Sequence, residues 1–578
     1  MLCPACLHTY VGGSDNSLLS PVSAATARRG SGATVMLCPR QPCSTSPANP
    51  TDNSHAPIFR TVVSSLFNAI HTPSHAPAPS LLTTRYVKRN RARSQGRTPS
   101  RLTAPARCVS IPVQRGWLSL RAVSTSEATS AADAEPHVHR RRPMKAAPQS
   151  LTTQILERVM KRAQGAQVVL GQSESTPVSF ENDKLKSVRV QEGTSVSVRV
   201  ILDGKVGSYA TSDLDDVDSV VTSALEAAEH GSKAYYEFPG RAAALQAVKL
   251  FDQGIVNLTK AEMVRMGEEM VALVKQYDSN IVVNAGVTKT AGQLWFVNSA
   301  GQECFVESSS YSAGVFGQRT RGTDILWAGD GQGWRQRTLD HVAIARKAVE
   351  KFRLAEKNAP MESGACPVVF TPHGAYVLLY PLELGVNGKN VVKGDSPLKG
   401  KLGQKIADEQ LTIVDDPLID YASSSGSFDG EGVPHRVTPI VKDGVLASFL
   451  YDLDAAGRAG TTSTGHGPGC GTTNVLIEEG RTPYEQMVKS IDCGLLVEGV
   501  MGFGQSNIIS GAFSVNVSLG YKIEKGQIVG RVKDVMLAGN AYDALKAIAA
   551  IGREREWVGG SLLTPAIQVE KLSVVSKK

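Results

Sequence analysis

A change of composition near residue 148 limits the part of this chain that can form a packed core. Residues 1–150 carry 18 Lys and Arg against five Asp and Glu, whereas the remainder carries 44 against 49. The head is rich in Ser, Thr, Ala, Pro and Arg, and it contains few periodic apolar segments. Such a stretch cannot bury enough surface to offset its chain entropy. We therefore expect the fold to lie after residue 148.

The head has the composition of a targeting segment. It is rich in Arg and Ser and poor in acids, which is typical of an organelle transit peptide. The stretch from Tyr86 to Arg107 is especially basic. A plastid or mitochondrial location is predicted, and a plain disordered tail on a soluble cytosolic protein is the alternative. A membrane span is not expected, because no run of 18 apolar residues occurs.

The charge and cysteine content of the body argue against a nucleic-acid-binding protein and against a disulfide-rich protein. The body is mildly acidic, so direct nucleic-acid binding is not expected. Its cysteines are widely spaced, which favours reduced thiols over a disulfide framework. These cysteines are Cys304, Cys366, Cys470 and Cys493.

The pattern of helices and strands predicts three folded units of mixed α+β class. We place the basic head at 1–148 and the three domains at 149–245, 254–360 and 366–577. Hairpins and helices occur without a regular β-α-β alternation, and the last unit is rich in strands with a few helices. Asp203-Gly204 predicts a hairpin turn, and Thr259 with Glu262 predicts a capping box at a helix start.

Three further helix boundaries are predicted from local signals. Ser212 with Asp215 has capping-box spacing, and Thr482 precedes Pro483 at the start of another helix. A last helix is predicted to begin at Asn540 and to continue through Ile551.

A string of motifs extends from residue 393 to residue 467. The motifs are KGDSPLKGKLG at 393–403, TIVDDP at 412–417, SFDGEGVP at 427–434, VKDGVLASFLYD at 441–452 and STGHG at 463–467. Matching segments elsewhere are VSFENDKLKSV at 178–188, VRVILDGKVGSYATSDL at 198–214, FVNSAG at 296–301 and SGAFSVNVSLGYKIEKGQIVG at 510–530. In this order they resemble the TldD/PmbA family, also called modulator of DNA gyrase. The resemblance covers Leu151 to Val575, and the PmbA or TldE side of the family is the closer match.

The resemblance implies a peptidase built from paired subunits. TldD-type subunits carry zinc on a His-Glu-x-x-x-His helix with a later cysteine, and TldE-type subunits lack these ligands. Here the corresponding segment, 372–385, reads PHGAYVLLYPLELG: His373 precedes Gly374, and Leu378 replaces the second histidine. Pro381 is expected to break or kink the helix. The resemblance thus implies no catalytic residue and no metal in this chain. It implies that the zinc is held by a TldD-like partner subunit. A second copy of this chain is the alternative partner.

The chemistry of zinc leaves one alternative. A catalytic zinc needs about three protein ligands and one open position for water. The soft ligands that remain in the last domain could form an atypical site in a self-sufficient metallopeptidase. They are His373, His435, His466 and Cys493. A regulator of gyrase is a third reading, taken from the family name.

A short acidic motif could also carry function. Asp429 and Glu431 are two residues apart and would share one face of a strand. They could act as an acid-base pair or bind a cation, whereas the simpler interpretation is turn chemistry next to glycine. Contact with an extended peptide or with the partner subunit is an intermediate possibility. His466 and Ser514 are further candidates for such contacts.

Overall fold

The computed structural model describes residues 147–505 and 507–577. The predicted targeting segment lies outside these residues, except for its last two positions. The described part is of mixed α+β class with a strand-rich carboxy-terminal region, as predicted. Within residues 147–505 and 507–577, no helix combines the length and the apolar composition needed to cross a bilayer.

An antiparallel sheet of eight strands organises the amino-terminal part. Its strands are β1 (Gly165–Glu181), β2 (Lys184–Val188), β3 (Gln191–Leu202), β4 (Lys205–Thr211), β5 (Ser232–Lys233), β6 (Val282–Asn298), β7 (Glu303–Arg321) and β8 (Asp324–Trp334). The spatial order is β5-β4-β3-β1-β6-β7-β8, with β2 beside β1. Because β1 pairs with β6 along almost its whole length, the regions 149–245 and 254–360 share one sheet.

Five helices accompany this sheet and supply much of its core. They are α1 (Pro148–Val159), α2 (Val217–Glu229), α3 (Gln253–Val256), α4 (Lys260–Tyr277) and α5 (His341–Leu354). Met263 and Met270 of α4 are fully buried and pack in one cluster with Phe180 of β1 and Phe352 of α5. The methionines therefore fill the core, as their helical spacing indicates.

The carboxy-terminal region contains a second sheet, of eleven strands. They are β9 (Gly364–Phe370), β10 (Ile413–Asp415), β11 (Thr438–Lys442), β12 (Val445–Leu446), β13 (Val475–Ile477), β14 (Cys493–Met501), β15 (Ala512–Glu524), β16 (Gln527–Arg531), β17 (Val535–Asn540), β18 (Ile548–Val558) and β19 (Leu562–Ser576). Five of them pair in a closed circuit, β9-β14-β15-β17-β19, because β19 also pairs with β9. Closure removes free strand edges within the circuit.

Short helices lie between these strands. They are α6 (Tyr376–Val386), α7 (Gly388–Lys393), α8 (Leu453–Ala459), α9 (Tyr484–Lys489) and α10 (Ala541–Lys546), with 3₁₀ turns at Phe503–Gln505 and Ile508–Ser510. Helix α6 is buried against the second sheet, where Leu378 and Phe370 are fully enclosed. The apolar face of α6 thus fixes the turn that precedes it, between β9 and the helix.

Two predicted turn and cap signals are confirmed. Asp203 and Gly204 both have positive φ and join β3 to β4. Thr259 and Glu262 form a complete capping box at the start of α4. Each signal depends only on neighbouring residues, which explains why sequence suffices to find it.

Three predicted helix boundaries are wrong. Asp216, not Ser212, caps α2, because its carboxylate accepts from Ser219 N. Helix α9 begins after Pro483 without a side-chain cap, so Thr482 does not cap it. The helix that starts at Asn540 ends at Lys546, and the apolar residues that follow form β18. Pairing of β18 with β19 outweighs the local helical spacing there.

Candidate functional site

The segment 372–385, which the resemblance aligns with the zinc motif, begins in the turn between β9 and α6 and continues into α6. Thr371 N donates to Val497 O (3.0 Å), and Gly374 N donates to Thr371 Oγ1 (3.2 Å), so the turn is fixed against β14. His373 lies in this turn, before the helix begins. Helix α6 continues through Pro381, so of the predicted break or kink the break does not occur. Tyr542 Oη donates to Pro381 O (2.8 Å) and supports the backbone there.

His373 is buried among charged side chains from three other elements. Its Nε2 lies 3.1 Å from Asp330 Oδ1 of β8, and its Nδ1 lies 3.5 Å from Glu498 Oε1 of β14. Lys351 of α5 places Nζ 2.8 Å from Glu498 Oε1 and 3.4 Å from Asp330 Oδ1. The ammonium group therefore lies between two buried carboxylates. We call Asp330, Lys351, His373, Glu498 and Glu556 the His373 cluster.

The charges within the His373 cluster stabilise one another. Burial raises the pKa of Asp330, but the hydrogen bond with His373 and the charge of Lys351 outweigh it, so this pKa lies below its usual range. Burial lowers the pKa of Lys351, but the charges of Glu498 and Asp330 outweigh it and raise this pKa. Glu556 forms an ion pair with Lys347. Two lysines thus compensate three carboxylates.

The His373 cluster also contains a possible set of metal ligands. Among the described residues, one group of three ligand-type side chains has its atoms within 4.8 Å of one another: Asp330, His373 and Glu556. The family's zinc is not fitted by this set, because the ammonium of Lys351 is already within ion-pair distance of Asp330. Leu378, which the resemblance places at the second histidine position, is apolar and fully buried.

The acidic motif forms a second buried cluster. Asp429 accepts from Glu431 N and Val433 N (both 2.9 Å), which is the turn chemistry expected beside glycine. Glu431 Oε1 lies 2.7 Å from Arg199 Nη1 of β3. Burial raises the pKa of Asp429 to about 7, and the charge of Glu431 adds to the effect while three backbone N–H groups oppose it. Both carboxylates are buried, so neither is a surface acid.

The histidine loop is joined to the acidic motif. Gly467 N donates to Asp429 Oδ2 (2.7 Å), which brings the loop of His466 next to Asp429. His466 itself is held at both ring nitrogens, since Nε2 lies 3.0 Å from Asp415 Oδ2 and Nδ1 lies 2.9 Å from Thr464 Oγ1. This histidine is a buried hydrogen-bonding residue, and both of its donor-acceptor positions are occupied.

The other predicted site residues are not members of the His373 cluster. His435 is half-buried and Cys493 is exposed at the start of β14. Ser514 is exposed on β15, opposite Ala538 of β17. Within the described chain, His373 alone of the four proposed metal ligands belongs to the group of three.

Sequence reasoning missed the charged partners of His373 and of Glu431. Asp330, Lys351, Glu498 and Glu556 come from four separate elements, and Arg199 lies more than 200 residues before Glu431. A local pattern cannot find such partners, because pairing of distant strands creates the contacts. The one available signal is a charged residue inside an otherwise apolar strand, as at Glu498 of β14.

Comparisons with known proteins agree on one group. Residues 363–576 match the family described as PmbA/TldA metallopeptidase C-terminal domain. Residues 166–228 match the family described as PmbA/TldA metallopeptidase domain 1. An uncharacterized protein of Methanocaldococcus jannaschii is 27% identical over 416 residues, which cover 69% of this chain and 94% of that protein. Metalloprotease PmbA of Escherichia coli O157:H7 is 25% identical over 434 residues, covering 72% and 94%.

A solved structure shares the fold. TldE from Thermococcus kodakarensis superposes with a TM-score of 0.68 at 23% identity and covers 74% of this chain and 100% of its own. The matched domains and the fold define a metallopeptidase-like protein. The chain belongs to the PmbA/TldD family.

Proposed function

We propose that this chain is a TldE-type subunit without a catalytic zinc of its own, which acts with a TldD-type, zinc-bearing partner on unfolded peptides. The observation that carries the proposal is the position of Lys351. Its ammonium group pairs with Glu498 and with Asp330 at the turn where a TldD-type chain would hold its metal. A second cation at this point would be repelled by Lys351 and would have to displace it.

The backbone around Gly374 supports the same proposal. Glutamate is the general base of the family motif, and its position here is occupied by glycine. A Cβ at Gly374 would lie 2.2 Å from the Val497 carbonyl oxygen. Any side chain at this position would therefore force β14 away from the turn. The turn has room only for glycine at position 374. The close packing of β14 against the turn therefore excludes a glutamate base at this position.

The proposed role of the subunit is to complete a chamber and to hold extended peptide. Main-chain pairing at a sheet edge is a general way to bind such a peptide. The partner is a TldD-like subunit or a second copy of this chain.

Metal analysis and reconstitution test the proposal. The purified chain, dialysed against a weak chelator, should hold far less than one zinc per chain and should cleave no unfolded peptide alone. Addition of a TldD-type subunit should give zinc-dependent cleavage of an unfolded, fluorescently labelled peptide. The proposal fails if the isolated chain retains stoichiometric zinc and cleaves the peptide.

A self-sufficient metallopeptidase is the second candidate function. Two observations favour it: the ligand atoms of Asp330, His373 and Glu556 lie within 4.8 Å, and Asp330 Oδ2 is buried with no hydrogen bond from the described residues. In that case His373→Ala and Glu556→Gln should each abolish metal binding by the isolated chain. His435→Ala, His466→Ala and Cys493→Ala are the matched controls, because these residues lie outside the group.

A further inference from the structure

Two cysteines lie side by side on neighbouring strands. Strands β9 and β14 pair in parallel, with Leu495 opposite Val368 and Val497 opposite Phe370. Two residues earlier on each strand, the same register places Cys493 opposite Cys366. Neighbouring strands are about 4.8 Å apart, which lies within the Cα separation that a disulfide can span.

Two independent observations support this adjacency. A Cβ at Gly494 would lie 2.8 Å from the Pro367 carbonyl oxygen, so the strands remain in contact at the level of the two cysteines. Burial raises the pKa of Cys366 to about 11, and the charge of Cys493 contributes to the increase. Such an electrostatic effect between two thiols requires that they lie close together. Cys493 is exposed, whereas Cys366 is half-buried.

We propose that Cys366 and Cys493 form a redox-active pair, which closes to a disulfide by exchange with a small-molecule disulfide such as glutathione disulfide. The exposed Cys493 thiolate attacks one sulfur of the reagent and releases one glutathione thiolate. Cys366, after losing its proton, then attacks Cys493 sulfur and releases the second glutathione. Two protein thiols are oxidised, and one glutathione disulfide is reduced to two glutathione molecules.

The order of the two attacks follows from exposure. Cys493 can meet the reagent because it is exposed, whereas Cys366 is half-buried and packs against the core of the second sheet. The mixed disulfide therefore forms on Cys493, and Cys366 on the neighbouring strand is the thiol that resolves it.

The disulfide would link two strands that position residues of the His373 cluster. Strand β9 leads directly to His373, and β14 contains Glu498. A covalent link at the start of both strands would fix their register. A link between adjacent strands in this position is also exposed on the Cys493 side, which is typical of reducible disulfides.

Peptide mapping of the full chain tests the pair. Trypsin should place Cys366 in the peptide 358–389 and Cys493 in the peptide 490–522, and each of these peptides contains one cysteine. After treatment of the folded protein with glutathione disulfide and alkylation of free thiols, the two peptides should appear as one linked species. Dithiothreitol before alkylation should separate them. The same treatment in denaturing urea should remove the preference for this link over links to other cysteines.

Variants separate the two steps. In Cys366→Ser, glutathione should accumulate on Cys493 as a mixed disulfide, because the second attack is lost. In Cys304→Ser the linked peptides should form as in the wild type, since Cys304 lies on β7 of the other sheet. The proposal is overturned if the folded wild-type protein keeps glutathione on Cys493, or leaves both thiols free, without forming the linked peptides.

Discussion

Arg199 of the first sheet and Glu431 of the acidic loop form a buried ion pair. Arg199 Nη1 lies 2.7 Å from Glu431 Oε1, and the two side chains are 18% and 3% exposed. The other carboxylate oxygen of Glu431 accepts from Leu453 N (2.8 Å) at the start of α8. The pair therefore joins β3 of the amino-terminal sheet to the acidic loop of the carboxy-terminal region.

Removal of Arg199 should strongly destabilise the protein. Arg199→Met leaves Glu431 buried without its counter-ion, and breaking such a pair costs about 3–5 kcal/mol of unfolding free energy. Urea denaturation followed by circular dichroism measures the loss. Arg162→Met is the matched control, because its pair with Glu229 is exposed and should contribute at most about 1 kcal/mol. Equal losses in the two variants would contradict the prediction.

Lys351 should be needed both for stability and for exclusion of metal. Lys351→Met leaves Asp330 and Glu498 facing each other without an ammonium group, so we expect a loss of about 3–5 kcal/mol in unfolding free energy. Added Mn²⁺ or Zn²⁺ should restore part of this stability in the variant and not in the wild type. Thermal melts with and without the ions measure the effect.

A control variant tests whether this effect is local. Lys405→Met removes an exposed lysine that pairs with Glu409 at 3.7 Å. It should change the unfolding free energy by less than about 1 kcal/mol. Metal ions should shift its melting temperature no more than that of the wild type. If Lys351→Met behaves like this control, Lys351 does not occupy a cation position.

Glu383 of α6 should make stability fall between about pH 4 and pH 7. Burial raises the pKa of Glu383 to about 7, the charge of Asp415 adds to this, and hydrogen bonds from Thr472 oppose it. In the unfolded chain the carboxyl releases its proton near pH 4.3. Between these pH values the folded state binds more protons than the unfolded state. The unfolding free energy therefore decreases as pH rises, by at most about 1.4 kcal/mol per pH unit, and levels off above about pH 7.

The variant Glu383→Gln isolates this contribution. Glutamine keeps an oxygen that can accept from Thr472 Oγ1, and it has no titrating proton. The difference in unfolding free energy between wild type and variant should shrink or reverse as pH rises from about 5 to about 7. The pKa of Asp429 is also raised to about 7, but Asp429 is present in both proteins. Its contribution to the unfolding free energy therefore cancels in the difference. A constant difference across this range would exclude a raised pKa at Glu383.

Local chemistry made part of the fold predictable. The α+β class, the Asp203-Gly204 hairpin and the capping box at Thr259 follow from signals within a few residues, and the structure confirms them. The helix predicted to continue beyond Asn540 failed because β18 gains a partner strand, β19, that the local sequence does not reveal. Tertiary pairing decided that segment, since the same apolar residues suit either element.

Only those features of the candidate site that depend on residues close together in the sequence were predictable. The departures from the zinc motif at Gly374 and Leu378 are visible in the sequence, and so is the closeness of Asp429 to Glu431. The ion pairs Lys351–Glu498 and Arg199–Glu431 were not visible, because each joins residues that are more than 140 positions apart. A buried charge needs its partner, and only the arrangement of the sheets identifies that partner.

The turn at Gly374 should reject every side chain, including the one that the zinc motif requires. Gly374→Ala places a methyl group 2.2 Å from the Val497 carbonyl oxygen, a backbone atom that is fixed by its bond from Thr371 N. Relief of this clash requires a shift of β14, so we expect a loss of about 1–3 kcal/mol in unfolding free energy, measured by urea denaturation. Gly171→Ala is the control, because a Cβ there has no heavy atom within 4 Å, and it should be neutral or slightly stabilising. A Gly374→Ala protein as stable as the control would show that β14 can yield, and a glutamate would then be sterically possible next to His373.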